Sequence, residues 1–123
     1  MAEIKNIELR ATETSSKIWK LTVKYDCVLT EKELGLDFDY KDWFEVWEDD
    51  LDLDNKLTGK VGVSVFDPST KITKRTLTAN ISASTLNTEL FGTEEIYVKV
   101  YLKNTTLNIQ YPTKESGLLY LDV

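Results

Sequence analysis

Alternation of apolar and polar residues at every second position is the feature that most limits how this chain can fold. The side chains of a β-strand point alternately to its two faces, so this period predicts strands with one buried and one solvated face. The clearest runs are residues 19–27 and 96–102. Weaker runs of the same kind cover residues 7–11, 61–66, 76–83 and 118–123.

These runs predict an all-β fold, an antiparallel two-sheet β-sandwich of about seven or eight strands, immunoglobulin-like or C2-like. A parallel sheet would need crossover helices, for which the chain has no room. At most one or two short helical turns are expected, within residues 29–36 and 84–92, the second capped by Ser84 and closed by Gly92. The 123 residues predict a single domain over 1–123. A closed barrel is the alternative architecture.

Two details of the pattern predict local geometry. Ile4 is out of phase with Ile7 and Leu9, which indicates a bulge or an irregular start of the first strand. In residues 61–66, Val63 and Val65 are expected to face inward, which would leave Gly62 and its small neighbour Ser64 as a bare strip on the outer face.

The composition excludes several kinds of catalysis. The chain has no histidine and a single cysteine, so the common nucleophile–histidine arrangements and the usual zinc sites are absent. Cys27 lies on the apolar side of its run and is expected to be a small buried hydrophobic residue. We therefore expect a protein that is not an enzyme, and a hydrolase that depends on Asp and Glu is the remaining alternative.

The charge and the first residues limit the partners and the compartment. A net charge of −6 argues against nucleic acid or an anionic membrane as the main partner, because both are bound by clustered basic residues. The N-terminal residues lack the apolar segment of a signal peptide. A cytoplasmic or other intracellular protein is therefore expected, with a mature secreted fragment as the alternative.

The acidic run at residues 48–55 is the candidate cation site, with Asp49, Asp50, Asp52 and Asp54 as ligands and calcium as the possible cofactor. An EF-hand is excluded, because Asn55 and Val61 stand where its glycine and bidentate glutamate belong. A site shared between loops at one end of a sandwich would take further carboxylates from residues 37–39 and 67. The alternative is a solvated acidic loop.

Aromatic residues define a candidate binding face. If Phe44 and Val46 face the core, Trp43 and Trp47 face outward together, about 13 Å apart along one strand. Tyr97 and Tyr101 would face outward from another strand. Exposed rings of this kind are expected to be covered by something, which predicts a protein-binding or self-association face, or a carbohydrate-binding one. The alternatives are rings that lie over the bare strip, or a strand turned so that Trp43 and Trp47 face inward.

Overall fold

The structure, a computed structural model, describes residues 1–15, 17–50, 54–87 and 93–122. In these residues the chain forms ten β-strands and two short helices. All strand pairings are antiparallel, and the strands make two sheets that pack as a β-sandwich, as predicted. Neither helix in the described ranges has the length and apolar character needed to cross a membrane.

The smaller sheet has three long strands in the order β1-β2-β6. Their bounds are Glu3–Ser15 for β1, Ile18–Val28 for β2 and Ile72–Ser82 for β6. The register confirms the predicted irregularity near Ile4, because the β1–β2 pairing shifts between Lys5 and Glu8. Asn6 lies in this bulge with a φ of 57° and donates a hydrogen bond to Asp26.

The larger sheet is built on a central pair, β3 (Tyr40–Glu48) and β7 (Glu94–Asn104). Two strands, β4 (Asn55–Lys56) and β5 (Val61–Phe66), pair with the other side of β3. Three short segments pair with the far side of β7: β8 (Ile109–Gln110), β9 (Lys114–Glu115) and β10 (Leu119–Leu121). The seven strands of this sheet therefore occupy four rows, two of them broken.

Both helices are single turns that begin at hydroxyl caps. Helix α1 (Glu31–Gly35) starts at Thr30, whose side chain accepts a hydrogen bond from the amide of Glu33 in a capping box. Helix α2 (Ala83–Leu86) is capped by Ser82, so the prediction of Ser84 as its cap is wrong. Ser82 ends β6 and still has extended backbone angles, which an N-cap residue requires. The predicted closure at Gly92 lies outside the described residues.

The core between the sheets is filled by the inward sets that alternation predicts. These are chiefly Leu21, Val23, Tyr25 and Cys27 of β2, Phe44 and Val46 of β3, and Ile96, Val98, Val100 and Leu102 of β7. Cys27 is fully buried, and burial is the main reason why the pKa of its thiol is raised to about 12. The prediction that Cys27 packs as a hydrophobic residue is therefore confirmed.

The predicted orientation of β5 is wrong beyond its first residue. Val63 and Val65 are 49% and 69% exposed, and the inward positions belong to Ser64 and Phe66. The cause is a bulge at Gly62, because one extra residue in a strand reverses the faces of everything after it.

Two features of position 62 each require glycine, the backbone angle and the close approach of a neighbouring ring. Its φ is 62°, a conformation that residues with a Cβ rarely adopt. A Cβ at this position would also lie 2.6 Å from the Phe44 ring. The Phe44 ring therefore covers Gly62 on the inner side of the sheet.

A buried ion pair joins the two sheets. Asp42 of β3 is fully buried and accepts hydrogen bonds from Arg75 Nε (2.8 Å) and Nη2 (3.1 Å) of β6. The hydroxyl of Tyr25 on β2 donates to the same carboxylate at 2.6 Å, and Arg75 Nη2 also donates to Ser64 of β5 at 2.8 Å. The guanidinium carbon lies 3.9 Å from the centroid of the Phe66 ring. Nothing in the sequence pattern predicts this cluster.

Removal of the guanidinium should destabilise the fold strongly, because it leaves a buried carboxylate without its counter-ion. We expect Arg75→Met to lower the free energy of unfolding by about 3–5 kcal/mol in urea titrations. The matched control is Lys74→Met on the same strand, where the side chain is 85% exposed and the loss should stay within about 0.5 kcal/mol. Combining Arg75→Met with Asp42→Asn should cost less than the sum of the single changes, and strict additivity would contradict the coupling.

Candidate functional site

The outward side of the central strand pair carries the candidate site. In the β3–β7 register, Trp43 lies opposite Tyr101, Glu45 opposite Lys99, and Trp47 opposite Tyr97. We call these six residues the aromatic face. Phe44 and Val46, which alternate with them on β3, belong to the core cluster. The prediction of which side Trp43 and Trp47 occupy is therefore confirmed.

The expectation that all four rings stand exposed is wrong for two of them. Trp43 is 3% exposed and Tyr97 is 5% exposed, whereas Trp47 and Tyr101 are partly exposed. Trp43 stacks on Tyr101 with the ring centroids 5.4 Å apart and the planes within 5°. The ammonium of Lys60 lies 4.4 Å from the Trp43 centroid. Trp43 is therefore covered on the outer surface by the Tyr101 ring and the Lys60 side chain.

Glu45 connects the rings at the centre of the aromatic face. Its Oε1 accepts hydrogen bonds from the Tyr101 hydroxyl at 2.6 Å and from Trp47 Nε1 at 3.3 Å. Its Oε2 lies 2.8 Å from Lys56 Nζ. Burial raises the pKa of Glu45, but the hydrogen bonds from Lys56, Tyr101 and Trp47 outweigh it, and the pKa is lowered overall. The same carboxylate helps burial to raise the pKa of Tyr101 to about 12.

The far end of the aromatic face is held by a second set of polar contacts. Lys99 Nζ lies 3.7 Å from the centroid of the Trp47 ring, in cation–π geometry. The Tyr97 hydroxyl donates to Asp54 Oδ2 at 2.6 Å. This hydrogen bond is the main reason why the pKa of Asp54 is lowered, and burial together with the same carboxylate raises the pKa of Tyr97.

The acidic run is placed beside the aromatic face. Asp52 lies outside the described residues. The amide of Asp49 donates to the Glu95 carbonyl, and the amide of Asp50 donates to Asp54 Oδ1 at 3.3 Å. Both oxygens of Asp54 therefore accept hydrogen bonds from the protein. Within the described part of the chain, no three acidic or cysteine side chains are grouped so as to hold a metal ion, and calcium binding stays a prediction.

The carboxylates of the other loops meet one another. The pKa of Asp67 is raised, first by the negative charge of Asp37 and, to a smaller degree, by burial and by Asp39. Asp67, which follows the C-terminal end of β5, therefore lies within electrostatic reach of both Asp37 and Asp39. The sequence offers these carboxylates as possible ligands, but its pattern contains no signal that brings them together.

Comparison with known proteins adds no further assignment. No protein-family model matches the chain, and no curated protein matches its sequence. What the structure defines is a class: an all-β protein of two antiparallel sheets with a layer of aromatic and charged side chains on the outside of the larger sheet.

The two tryptophans should differ sharply in their effect on stability. Trp43→Ala removes a buried ring and its stacking contact with Tyr101. We expect it to lower the free energy of unfolding by about 3 kcal/mol. Trp47→Ala removes a partly exposed ring and should cost about 1 kcal/mol. Urea titrations followed by circular dichroism measure both, and equal losses would contradict the different burial of the two rings.

The lowered pKa of Glu45 predicts acid sensitivity. A carboxylate with a depressed folded-state pKa contributes stability above its unfolded pKa of about 4.3 and loses it as the pH falls through the lower folded value. Between about pH 5 and pH 3 the native protein should therefore lose more stability than Glu45→Gln. Urea midpoints of both proteins across this range measure the difference. Parallel curves would show that Glu45 titrates alike in the folded and unfolded states.

Proposed function

We propose that this chain is a non-enzymatic β-sandwich module that acts by binding another protein, with the aromatic face as the contact surface. The observation that carries the proposal is the partial exposure of Trp47 and Tyr101 in a layer whose rings are already fixed in orientation. Tyrosine and tryptophan are the residues that most often dominate protein interfaces.

Fixed rings favour binding because less conformational entropy is lost on association. Each flexible side chain that an interface immobilises costs about 0.5–1.5 kcal/mol. Here Trp47 is held by Glu45 and Lys99, and Tyr101 by Glu45 and the Trp43 ring. A partner that covers Trp47 and Tyr101 therefore meets a surface that is already ordered.

The charge around the aromatic face indicates the character of the partner. Five lysines lie on or beside it, namely Lys41, Lys56, Lys60, Lys99 and Lys103. Acidic groups lie there as well: Glu45, Asp54 and Glu115 contact the layer, and Asp49 and Glu95 lie at its Tyr97 end. Three of the lysines, Lys41, Lys60 and Lys103, lie at the opposite end, beside Trp43 and Tyr101. Charge complementarity at that end favours a partner surface that carries carboxylates.

Carbohydrate binding on the same rings is the weaker proposal. Sugars stack on open ring faces, but Lys60 lies over Trp43 and Lys99 lies over Trp47. A sugar would have to displace these ammonium groups and break their cation–π contacts.

The lack of histidine, together with a buried cysteine thiol of raised pKa, supports the non-enzymatic part of the proposal.

Site-specific photo-cross-linking tests the contact surface. A photoreactive amino acid at Lys103, on the outer side of the larger sheet, should give a discrete adduct with another protein in cells that make this chain. The matched control is Thr22, which is also partly exposed but lies on the outer side of the smaller sheet. Trp47→Ala should remove the Lys103 adduct. Equal adducts from both positions, or an adduct that Trp47→Ala leaves unchanged, would contradict the proposal.

A further inference from the structure

One sheet edge of the molecule lacks two of the features that usually keep edges from pairing, charged residues and proline. Natural edge strands are protected by charged residues, by proline, by bulges or by short length. Strand β1 carries five charged residues and β6 carries two, and the β8–β10 row is broken into segments of two or three residues. Strand β5, Val61–Phe66, contains neither a charged residue nor proline, and its bulge at Gly62 lies near its start, which leaves residues 63–66 as a regular segment.

The geometry of β5 leaves one of its sides open. Among the strand pairings of the described residues, β5 pairs with β3 alone. Strand β6 lies on the inward side of β5, since a Cβ on Gly62 would be 3.2 Å from the Thr78 carbonyl oxygen. Val63 and Val65 face outward and are the apolar residues that an added strand would cover.

The charges at the two ends of β5 are opposite. Lys60 precedes the strand, and Asp67 follows it. Asp67 lies with Asp37 and Asp39, so negative charge is concentrated at this end. An antiparallel partner strand should therefore begin with a positive charge and end with a negative one. Strand β5 itself has this arrangement, which favours a second copy of the chain as the partner.

We propose that β5 pairs antiparallel with β5 of a second copy, which joins the two larger sheets into one continuous sheet across a two-fold axis. Such an axis passes between the two copies of Val63 or between the two copies of Ser64. In both cases the outward valines of the two copies lie on the same side of the joined sheet. In either register, Lys60 lies within one residue of the position opposite Asp67 of the second copy. The proposal rests on the proposed function only in that the chain acts by binding protein. The contact is the β5 edge, which meets the aromatic face at Lys60 alone among the residues named here.

The size of this contact predicts its strength. The proposed contact pairs six residues of each strand and covers two valines in each copy of the chain. An interface of this size falls at the small end of specific protein interfaces. We therefore expect a reversible dimer with a dissociation constant in the micromolar to millimolar range.

Sedimentation of the full chain over that concentration range tests the proposal. The native protein should shift from monomer to dimer, and Val65→Lys should stay monomeric because a charge on the outward edge blocks pairing. The matched control is Ile72→Lys, which changes a residue that is 56% exposed on β6 and should leave the dimer unchanged. A protein that remains monomeric at millimolar concentration would overturn the proposal, as would a dimer that tolerates Val65→Lys.

A charge exchange tests the antiparallel register. Lys60→Glu alone and Asp67→Lys alone should each weaken the dimer at least tenfold, because each creates two like-charge contacts. A mixture of the two variants should regain the dimer, since each interface then has opposite charges at both ends. Failure of the mixture to dimerise would overturn the antiparallel pairing. Circular dichroism of each variant establishes that the fold is intact.

Different substitutions distinguish binding through the aromatic face from dimerisation through β5. Trp47→Ala should remove the cross-link from Lys103 and leave the dimer intact, and Val65→Lys should have the opposite effect. A dimer that is lost with Trp47→Ala but kept with Val65→Lys would assign self-association to the aromatic face and overturn pairing through β5.

Discussion

The buried contact between Asp42 and Arg75 is the interaction on which the arrangement of the two sheets depends. Each partner belongs to a different sheet, and the carboxylate also accepts from Tyr25 while the guanidinium donates to Ser64. An ion pair in such a site contributes little net stability compared with apolar residues of the same size, but it tolerates only one relative placement of its partners. Apolar contacts between the sheets can slide, whereas these directional hydrogen bonds cannot. We therefore assign to this cluster the registration of β6 over β3 and β5.

Strand β5 shows how a single residue changes the character of a surface. The bulge at Gly62 brings Ser64 inward to meet Arg75 and turns Val63 and Val65 outward. Without the bulge, the valines would fill the core, and the hydroxyl would face water. The polar cluster in the core and the apolar edge on the outside are thus two consequences of one glycine, because reversal of a strand's faces affects every later residue.

The sequence predicts most of the fold because the strands that form the core are long and regularly alternating. Strands β2, β3 and β7 have the faces that their patterns indicate, and the outward side of Trp43 and Trp47 follows from Phe44 and Val46. What the pattern cannot predict is pairing between distant residues. The stacking of Trp43 on Tyr101 and the convergence of Lys56 and Tyr101 on Glu45 depend on strand register, and periodicity carries no information about register. Periodicity does not specify the strand order, for the same reason.

The aromatic face and the β5 edge differ in how they could bind. On the aromatic face, the side-chain groups of Glu45, Trp47, Tyr97 and Tyr101 already have partners within the chain, so an incoming protein gains mainly from apolar contact and complementary charge. At the β5 edge the backbone groups on the open side are free of ladder partners among the described strand pairings, and a second strand would supply such partners. Because main-chain bonds are independent of side-chain identity, specificity at the edge must come from the valines and from the opposite charges of Lys60 and Asp67. The edge is therefore suited to a partner with the same sequence, and the face to a partner with a different one.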